Sequence, residues 1–314
     1  MSLSDLVTIE YAPLPGSMGA QWADVLQSLG DGSRDLYGLP SGLAALDAAI
    51  SGVHGFTVVR GVPGSGKSSF LAWLTLRAAA QGVNCWFLSA EMGAGGGWVE
   101  LLRTHYKCDR DAIDLRGRLI LDAQPPDVFG RIVVTDAEGY TPETFAEACK
   151  PFGFVVVDSL QALPYCNGGE YDSLNAWLKA ISKAAAKGLP GADGRAVWLI
   201  SQSTKEADKE LESLDVTDPD ISSKLQHGGR GSAGITYTVD TELVLRRDGA
   251  EGERWPISVF IPKKRRGQAG KNGFKLEFEP MAGQWAEAPI SPGGYSYSPA
   301  AKPANNGKGY NKKR

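Results

Sequence analysis

Short, continuous apolar runs alternate along the chain with longer stretches in which apolar positions recur every third or fourth residue. The runs Phe56 to Arg60, Asn84 to Ser89, Arg131 to Thr135, Phe154 to Asp158 and Ala196 to Ser201 predict strands, and Lys67 to Gln81, Gly97 to His105, Pro142 to Lys150 and Tyr171 to Lys187 predict helices. Apolar strands with helices between them imply an α/β fold with a mostly parallel sheet flanked by helices. After Ser201 the pattern changes. Thr241 to Arg246, Ile257 to Ile261 and Gly273 to Phe278 are joined by short polar turns, which predicts antiparallel hairpin strands at the C-terminal edge of the sheet.

Outside this core the pattern fades. Residues 1–35 mix Pro, Gly and Ser with one short helical stretch, Ala20 to Leu29, and read as an N-terminal arm or linker. Residues 36–290 form the core. Residues 291–314 are Gly, Pro, Ser, Asn, Tyr and Lys with almost no aliphatic side chain, so they cannot offset the entropy of folding and are expected to be a disordered basic tail.

Composition narrows the function classes only slightly. The 314 residues carry 33 Lys and Arg against 36 Asp and Glu, and this near balance leaves the question of a nucleic-acid partner to the distribution of charge. Cys85, Cys108, Cys149 and Cys166 lie far apart with no C-x-x-C pair, which argues against a zinc cluster or disulfide framework and for a reducing cytoplasm. Met1 to Tyr11 holds Asp5 and Glu10 and no basic segment followed by an apolar run, so no signal peptide is expected. No stretch is apolar for long enough to predict a membrane span, and no membrane partner is expected.

The chemistry concentrates at one motif. Gly61-Val62-Pro63-Gly64-Ser65-Gly66-Lys67-Ser68 fits G-x-x-x-x-G-K-S between a predicted strand and a predicted helix, with Ser69 next in line. Glycines let the backbone curl its N–H groups toward phosphate oxygens, and the helix presents its positive end to the same anion. Lys67 is expected at the β- and γ-phosphates of ATP and Ser68 on magnesium. A second magnesium-side carboxylate is expected at the end of a neighbouring apolar strand, and Asp158 closes the run Phe154-Val155-Val156-Val157. The other reading of Asp158 is a helix N-cap, since a turn is expected after it. Glu91, just past Cys85-Trp86-Phe87-Leu88, is the candidate general base for the attacking water.

With these residues the chain resembles the RecA/DnaB-like ATPases, the RadA and replicative-helicase branches above all, over about Leu36 to Trp285. Gly38-Leu39-Pro40-Ser41-Gly42-Leu43-Ala44-Ala45-Leu46-Asp47 is similar to the family's G-x-P-[ST]-G-x-x-x-L-D lead-in, and Leu88-Ser89-Ala90-Glu91-Met92 to its S-x-E-M segment, whose Glu is the catalytic base. Val157-Asp158-Ser159-Leu160-Gln161 resembles the Walker-B segment, and Leu199-Ile200-Ser201-Gln202 the strand that ends in a γ-phosphate sensor. The resemblance gives Gln202 that role. Arg230-Gly231-Ser232-Ala233-Gly234-Ile235 before Val239-Asp240 resembles the family's glycine-serine stretch before a late strand. Pro262-Lys263-Lys264-Arg265-Arg266-Gly267 resembles a K-x-R-x-G segment whose cations reach the neighbouring subunit's γ-phosphate in hexameric relatives, which implies that role for Lys263 and Arg265. The other reading is a solvated basic hairpin tip. The helical N-terminal domain of the helicase branch and the zinc finger and protease-like domain of bacterial RadA have no counterpart here, so a stand-alone motor core is expected.

The resemblance also implies a hexameric ring or filament with single-stranded DNA in its channel. The loops concerned are Ala162 to Asp172 and Ser203 to Gly231. The second reads as a long structureless loop, acidic at Glu206, Asp208, Glu210, Glu212, Asp215, Asp218 and Asp220, with Lys224 and Arg230 at its far end as phosphate contacts. Lys302, Lys308, Lys312, Lys313 and Arg314, interleaved with Tyr295, Tyr297 and Tyr310, equip the tail for loose nucleic-acid binding or simply for solubility. The readings are a helicase-like ATPase on single-stranded DNA in replication or recombination, a RadA/RecA-type recombinase or recombination mediator, a nucleotide-gated ring that does not act on DNA, and a small-molecule kinase.

Overall fold

The structure is a computed structural model that describes residues 37–94, 127–166, 168–185, 194–225, 235, 237–249, 253–266, 272–280 and 283–288. The expected arm, the basic tail and the helix Gly97 to His105 lie outside the described residues. The element order is α1 (Ala44–Ile50), β1 (Phe56–Gly61), α2 (Lys67–Ala80), β2 (Cys85–Ser89), β3 (Ile132–Asp136), α3 (Pro142–Ala148), β4 (Phe154–Asp158), α4 (Glu170–Ala184), β5 (Ala196–Gln202), α5 (Lys205–Glu212), α6 (Ile221–Leu225), β6 (Thr241–Arg247), β7 (Trp255–Lys264), β8 (Gly273–Glu279) and β9 (Gln284–Glu287).

These strands make one sheet in the order β3-β2-β4-β5-β1-β6-β7-β8-β9. From β3 to β6 all neighbours are parallel, and from β6 to β9 all are antiparallel. The expected mixture of a parallel core and an antiparallel edge is therefore present. β6 belongs to both halves, parallel to β1 on one side and antiparallel to β7 on the other.

Helices cover both faces, which is why β1, β2 and β4 are buried throughout and are mostly apolar, with Arg60 the buried charge in β1. Val59, Phe87, Val156, Trp198 and Leu243 point into one core shared with α1 and α2. Val58, Trp86, Val155 and Leu199 point into the other, shared with α3 and α4. α2 is buried on nearly all sides and its sequence is apolar nearly all round, whereas α4 buries Trp177, Leu178 and Ile181 and turns Lys179 and Lys183 outward. α3 begins with a capping box between Thr141 and Thr144, with Pro142 in its first turn. Ahead of β1, Asp47 of α1 accepts the backbone N–H of Ser41 at 2.9 Å, which ties the Pro40-Ser41-Gly42 lead-in to the helix that follows.

One expectation fails. The segment after Gln202 is not a structureless loop: it folds into α5 and α6. The Thr204 hydroxyl accepts the N–H of Ala207 and starts α5, and Ala207 and Leu211, four residues apart, turn inward. Leu211, Leu214, Ile221 and Leu225 then close a small third core on Val244 and Phe260. Glu206, Glu210 and Glu212 of α5 face solvent, whereas Asp208 is half-buried on the side of Ser203, with Lys67 and Arg60 near enough to act on its charge.

Candidate nucleotide site

The carboxyl ends of β1, β2, β4 and β5 meet at one edge of the sheet, where Gly61 pairs with Gln202 and Ser89 with Asp158. In open parallel sheets this edge is where ligands bind. The phosphate loop leaves β1 there and enters α2. A side chain at Gly61 would meet the Leu245 carbonyl at 2.2 Å, and one at Gly66, whose φ is +86°, would press on the Trp285 ring at 3.2 Å. Both positions therefore require glycine.

Lys67 Nζ donates to the carbonyls of Gly61 at 2.9 Å and Val62 at 2.8 Å, so its charge is held over the loop. Burial holds its pKa below the usual lysine range, against the opposing pull of Asp158 and Glu91. Asp158 is 2% exposed and takes a hydrogen bond from the Ser68 side chain. Burial pushes its carboxyl up to about 6, and the nearby Glu91 charge adds to this while Ser68 and Lys67 oppose it. Its Oδ2 has no hydrogen-bond partner among the described residues. A buried, unsatisfied carboxylate oxygen beside a hydroxyl is a donor set suited to a hard divalent cation such as magnesium. The N-cap reading of Asp158 does not hold, because the turn Leu160–Ala162 that follows is preceded at its cap position by Ser159.

Glu91 is exposed at the mouth of the cleft. Its carboxylate accepts the Ser159 hydroxyl at 3.0 Å, and its backbone N–H donates to the Asp158 carbonyl at 3.1 Å. Gln202 lies at the tip of β5, with its backbone N–H on Gln161 Oε1 at 3.2 Å, while Gln161 Nε2 donates to Ser201 Oγ at 3.0 Å. A cleft of about 390 Å³ joins Lys67, Ser68, Ser69, Glu91, Asp158 and Gln202 at one end to Trp255, Phe278 and Pro280 at the other. One end is built for phosphates and a cation, and the other offers apolar rings to a flat base.

The ATPase domain of G40P superposes with a TM-score of 0.67 at 19% identity, covering 87% of this chain and 99% of that one. A DnaB-like replicative helicase, described with its interactions with primase, gives 0.65 at 19% identity over 87% of this chain and 67% of its own. A KaiC-like protein from Pyrococcus horikoshii gives 0.53 at 16% identity over 80% and 98%. The fold is RecA/DnaB-like. No protein-family model and no curated protein sequence matches the chain.

Within this RecA-like frame Lys263 and Arg265 lie away from their own phosphate loop. Lys263 pairs with Glu242, which pairs with Val58 of β1, while Arg265 binds Asp240 Oδ1 at 2.8 Å beside the start of β1. Phe56 and Gly61 are five residues apart, so Arg265 is about 16 Å along the strand from the loop at ~3.3 Å per residue. Burial, then the charge of Arg265, holds Lys263 below the usual lysine range. Lys224 is bound to Asp218 at 2.8 Å. Arg230 and the tail cations lie outside the described residues. Among the described residues no helix is long and apolar enough to cross a membrane.

Sequence reasoning missed the supporting residues. Ser159 and Gln161 stand inside the Walker-B-like segment, but their partners come from elsewhere in the chain, Glu91 from just past β2 and Ser201 from β5. Trp255 and Phe278 carried no motif. They line the cleft because the antiparallel edge packs back on α2, where Trp285 stacks on Phe278 at 4.5 Å between ring centres and meets Phe70 edge-on at 4.9 Å.

Proposed function

We propose that the chain is a magnesium-dependent ATPase motor that acts on single-stranded DNA in replication or recombination, in the manner of a helicase, and that it works as a homo-oligomeric ring. The observation that carries this reading is the convergence of Lys67, Ser68, Asp158, Glu91 and Gln202 on one cleft while Lys263 and Arg265 stand at the opposite end of the same sheet. A complete hydrolytic half-site faces one way and its missing cations face another, as a head-to-tail assembly requires.

The roles follow from the chemistry. Loop N–H groups and Lys67 hold the β- and γ-phosphates. Ser68 and Asp158 would hold a magnesium ion, which would supply neutralisation of charge on the phosphate oxygens. Glu91, its carboxylate oriented by Ser159, orients the attacking water and accepts its proton. Gln202 senses the γ-phosphate, and only Ser203 and the capping Thr204 separate it from α5. Arg265 exchanges Asp240 for the phosphates of a neighbour's nucleotide, with Lys263 beside it. The DnaB-like helicase among the structural neighbours supports DNA as the substrate, with Lys224, Arg230 and the basic residues of 291–314 as contacts. Residues 1–35 serve as an arm outside the core, and the cytoplasm is the compartment.

A second reading, a nucleotide-gated ring that does not act on DNA, is favoured by the Lys224–Asp218 ion pair, which ties up one of the cations assigned to DNA. ATPase rate with and without single-stranded DNA, measured beside oligomer mass with and without ATP, separates the two. Stimulation by DNA supports the motor. ATP-dependent assembly with DNA-independent turnover supports the gated ring. Duplex unwinding against joint-molecule formation then distinguishes a helicase from a recombinase.

A further inference from the structure

A second cleft, about 400 Å³ in volume, lies along the C-terminal half of α4. Asn175, Leu178, Lys179, Ser182 and Lys183 line it from the helix, and Thr238 lines it from the turn that leads into β6. Leu178 is a buried floor, while Lys179 and Lys183 are exposed and lack an ion-pair partner among the described residues. Their spacing of one helical turn sets the two cations about 5–6 Å apart at Cβ on one face. None of the described lining residues is an acid.

The sequence around the cleft is as one-sided as the cleft itself. From Asn175 to Lys187 the sequence holds Lys179, Lys183 and Lys187 and no Asp or Glu. In a chain of net charge −3 this is a local excess of positive charge, and a concave low-dielectric wall focuses it. Tyr237, directly before the lining residue Thr238, is 76% exposed, a large ring left in solvent. Cations that follow a backbone, neutral amide and hydroxyl donors between them, and an open aromatic face are the parts from which single-strand binding grooves are made.

We propose that this cleft binds the phosphodiester backbone of a single-stranded nucleic acid. Lys179 and Lys183 neutralise successive phosphates, Asn175 and Ser182 donate to phosphate oxygens, and Tyr237 stacks an unpaired base. The site lies toward the amino ends of β5 and β6, away from the nucleotide cleft, so it adds a surface distinct from the loops at the carboxyl ends of the strands. It rests on the reading that the chain acts on single strands, and the test separates the two.

The measurement is fluorescence anisotropy of a labelled oligothymidylate titrated with the full chain over a range of salt. Lys179→Ala with Lys183→Ala should weaken binding and lower the log–log salt slope by about 1.4, roughly 0.7 for each phosphate released. Tyr237→Ala should weaken binding roughly five-fold or more with the slope unchanged, because stacking releases no counterion. Binding of a fluorescent ATP analogue, unchanged in both variants, shows that the core is intact. If the wild type binds and the double lysine variant matches it in affinity and slope, the cleft assignment alone is overturned. If the wild type fails to bind at low salt, the single-strand reading falls and this site with it. If Lys179→Glu with Lys183→Glu changes the oligomer mass while DNA binding persists, the cleft receives a second copy of the chain, and the proposal is again overturned.

Discussion

Replacing Asp158 with Asn should make the protein more stable at neutral pH and inactive. The Asp158 carboxyl is 2% exposed and burial pushes its pKa from 3.8 to about 6. Because the folded-state pKa is raised, the native protein binds more protons than the unfolded chain between about pH 4 and 6, and stability falls as pH rises across that window. Two units at about 1.4 kcal/mol each give a penalty of about 3 kcal/mol, fully present above pH 6 and absent below pH 4. Asn is neutral throughout and keeps a donor and an acceptor for Ser68. Asp158→Asn should therefore gain up to about 3 kcal/mol at pH 8 and nothing at pH 4, read from urea unfolding curves at both values. At roughly 2–4 °C per kcal/mol for a domain of this size, the melting temperature should rise by several degrees at pH 8. Magnesium with ATP should stabilise the wild type more than the variant, since the cation takes the place of the missing partner on Oδ2. A variant less stable than wild type at pH 8, or a gain that persists unchanged at pH 4, would refute the reasoning.

Other substitutions probe the remaining parts of the site. Glu91→Gln should bind ATP near wild-type affinity, lose turnover and accumulate ATP-dependent oligomers, whereas normal hydrolysis would move the general base elsewhere. Trp255→Ala should raise the KM for ATP with little change in kcat, because the ring contacts the base equally before and during phosphoryl transfer; a loss confined to kcat would contradict that placement. Arg60→Ala should cost about 3–5 kcal/mol in urea unfolding. It leaves buried Glu242 without its ion-pair partner and the Leu225 carbonyl without a donor, so an unchanged midpoint would contradict the ion pair.

The parallel half of the fold was legible because burial on both faces writes itself as continuous apolar sequence, as in Phe154 to Asp158. The phosphate loop was legible for a different reason: its backbone geometry demands glycine at fixed offsets, as at Gly61 and Gly66. α5 was not, since eight residues with only Ala207 and Leu211 turned inward present mostly charge to a reader of the sequence. Partnerships were the least visible. Nothing local links Asp240 to Arg265 across 25 residues, or Ser159 to Glu91 across 68, and both are consequences of strand order. Lys224 looked available for a phosphate because its sequence neighbours are neutral, but the turn before α6 brings Asp218 to its ammonium group.

The central claim is that two chains make one hydrolytic site, and mixing two inactive proteins tests it most directly. Arg265→Ala keeps its phosphate loop, Asp158 and Glu91, yet loses the cation that a neighbour's nucleotide needs; arginine fingers are worth about 10³–10⁵ in rate. Glu91→Gln keeps Arg265 and loses the base. When the two exchange subunits, a mixed interface pairs an intact Glu91 with an intact Arg265, and ATP turnover should return in part. If mixed oligomers form and stay inactive, or if isolated wild-type monomers hydrolyse ATP at the full rate, Arg265 serves only its ion pair with Asp240 and the site is complete within one chain.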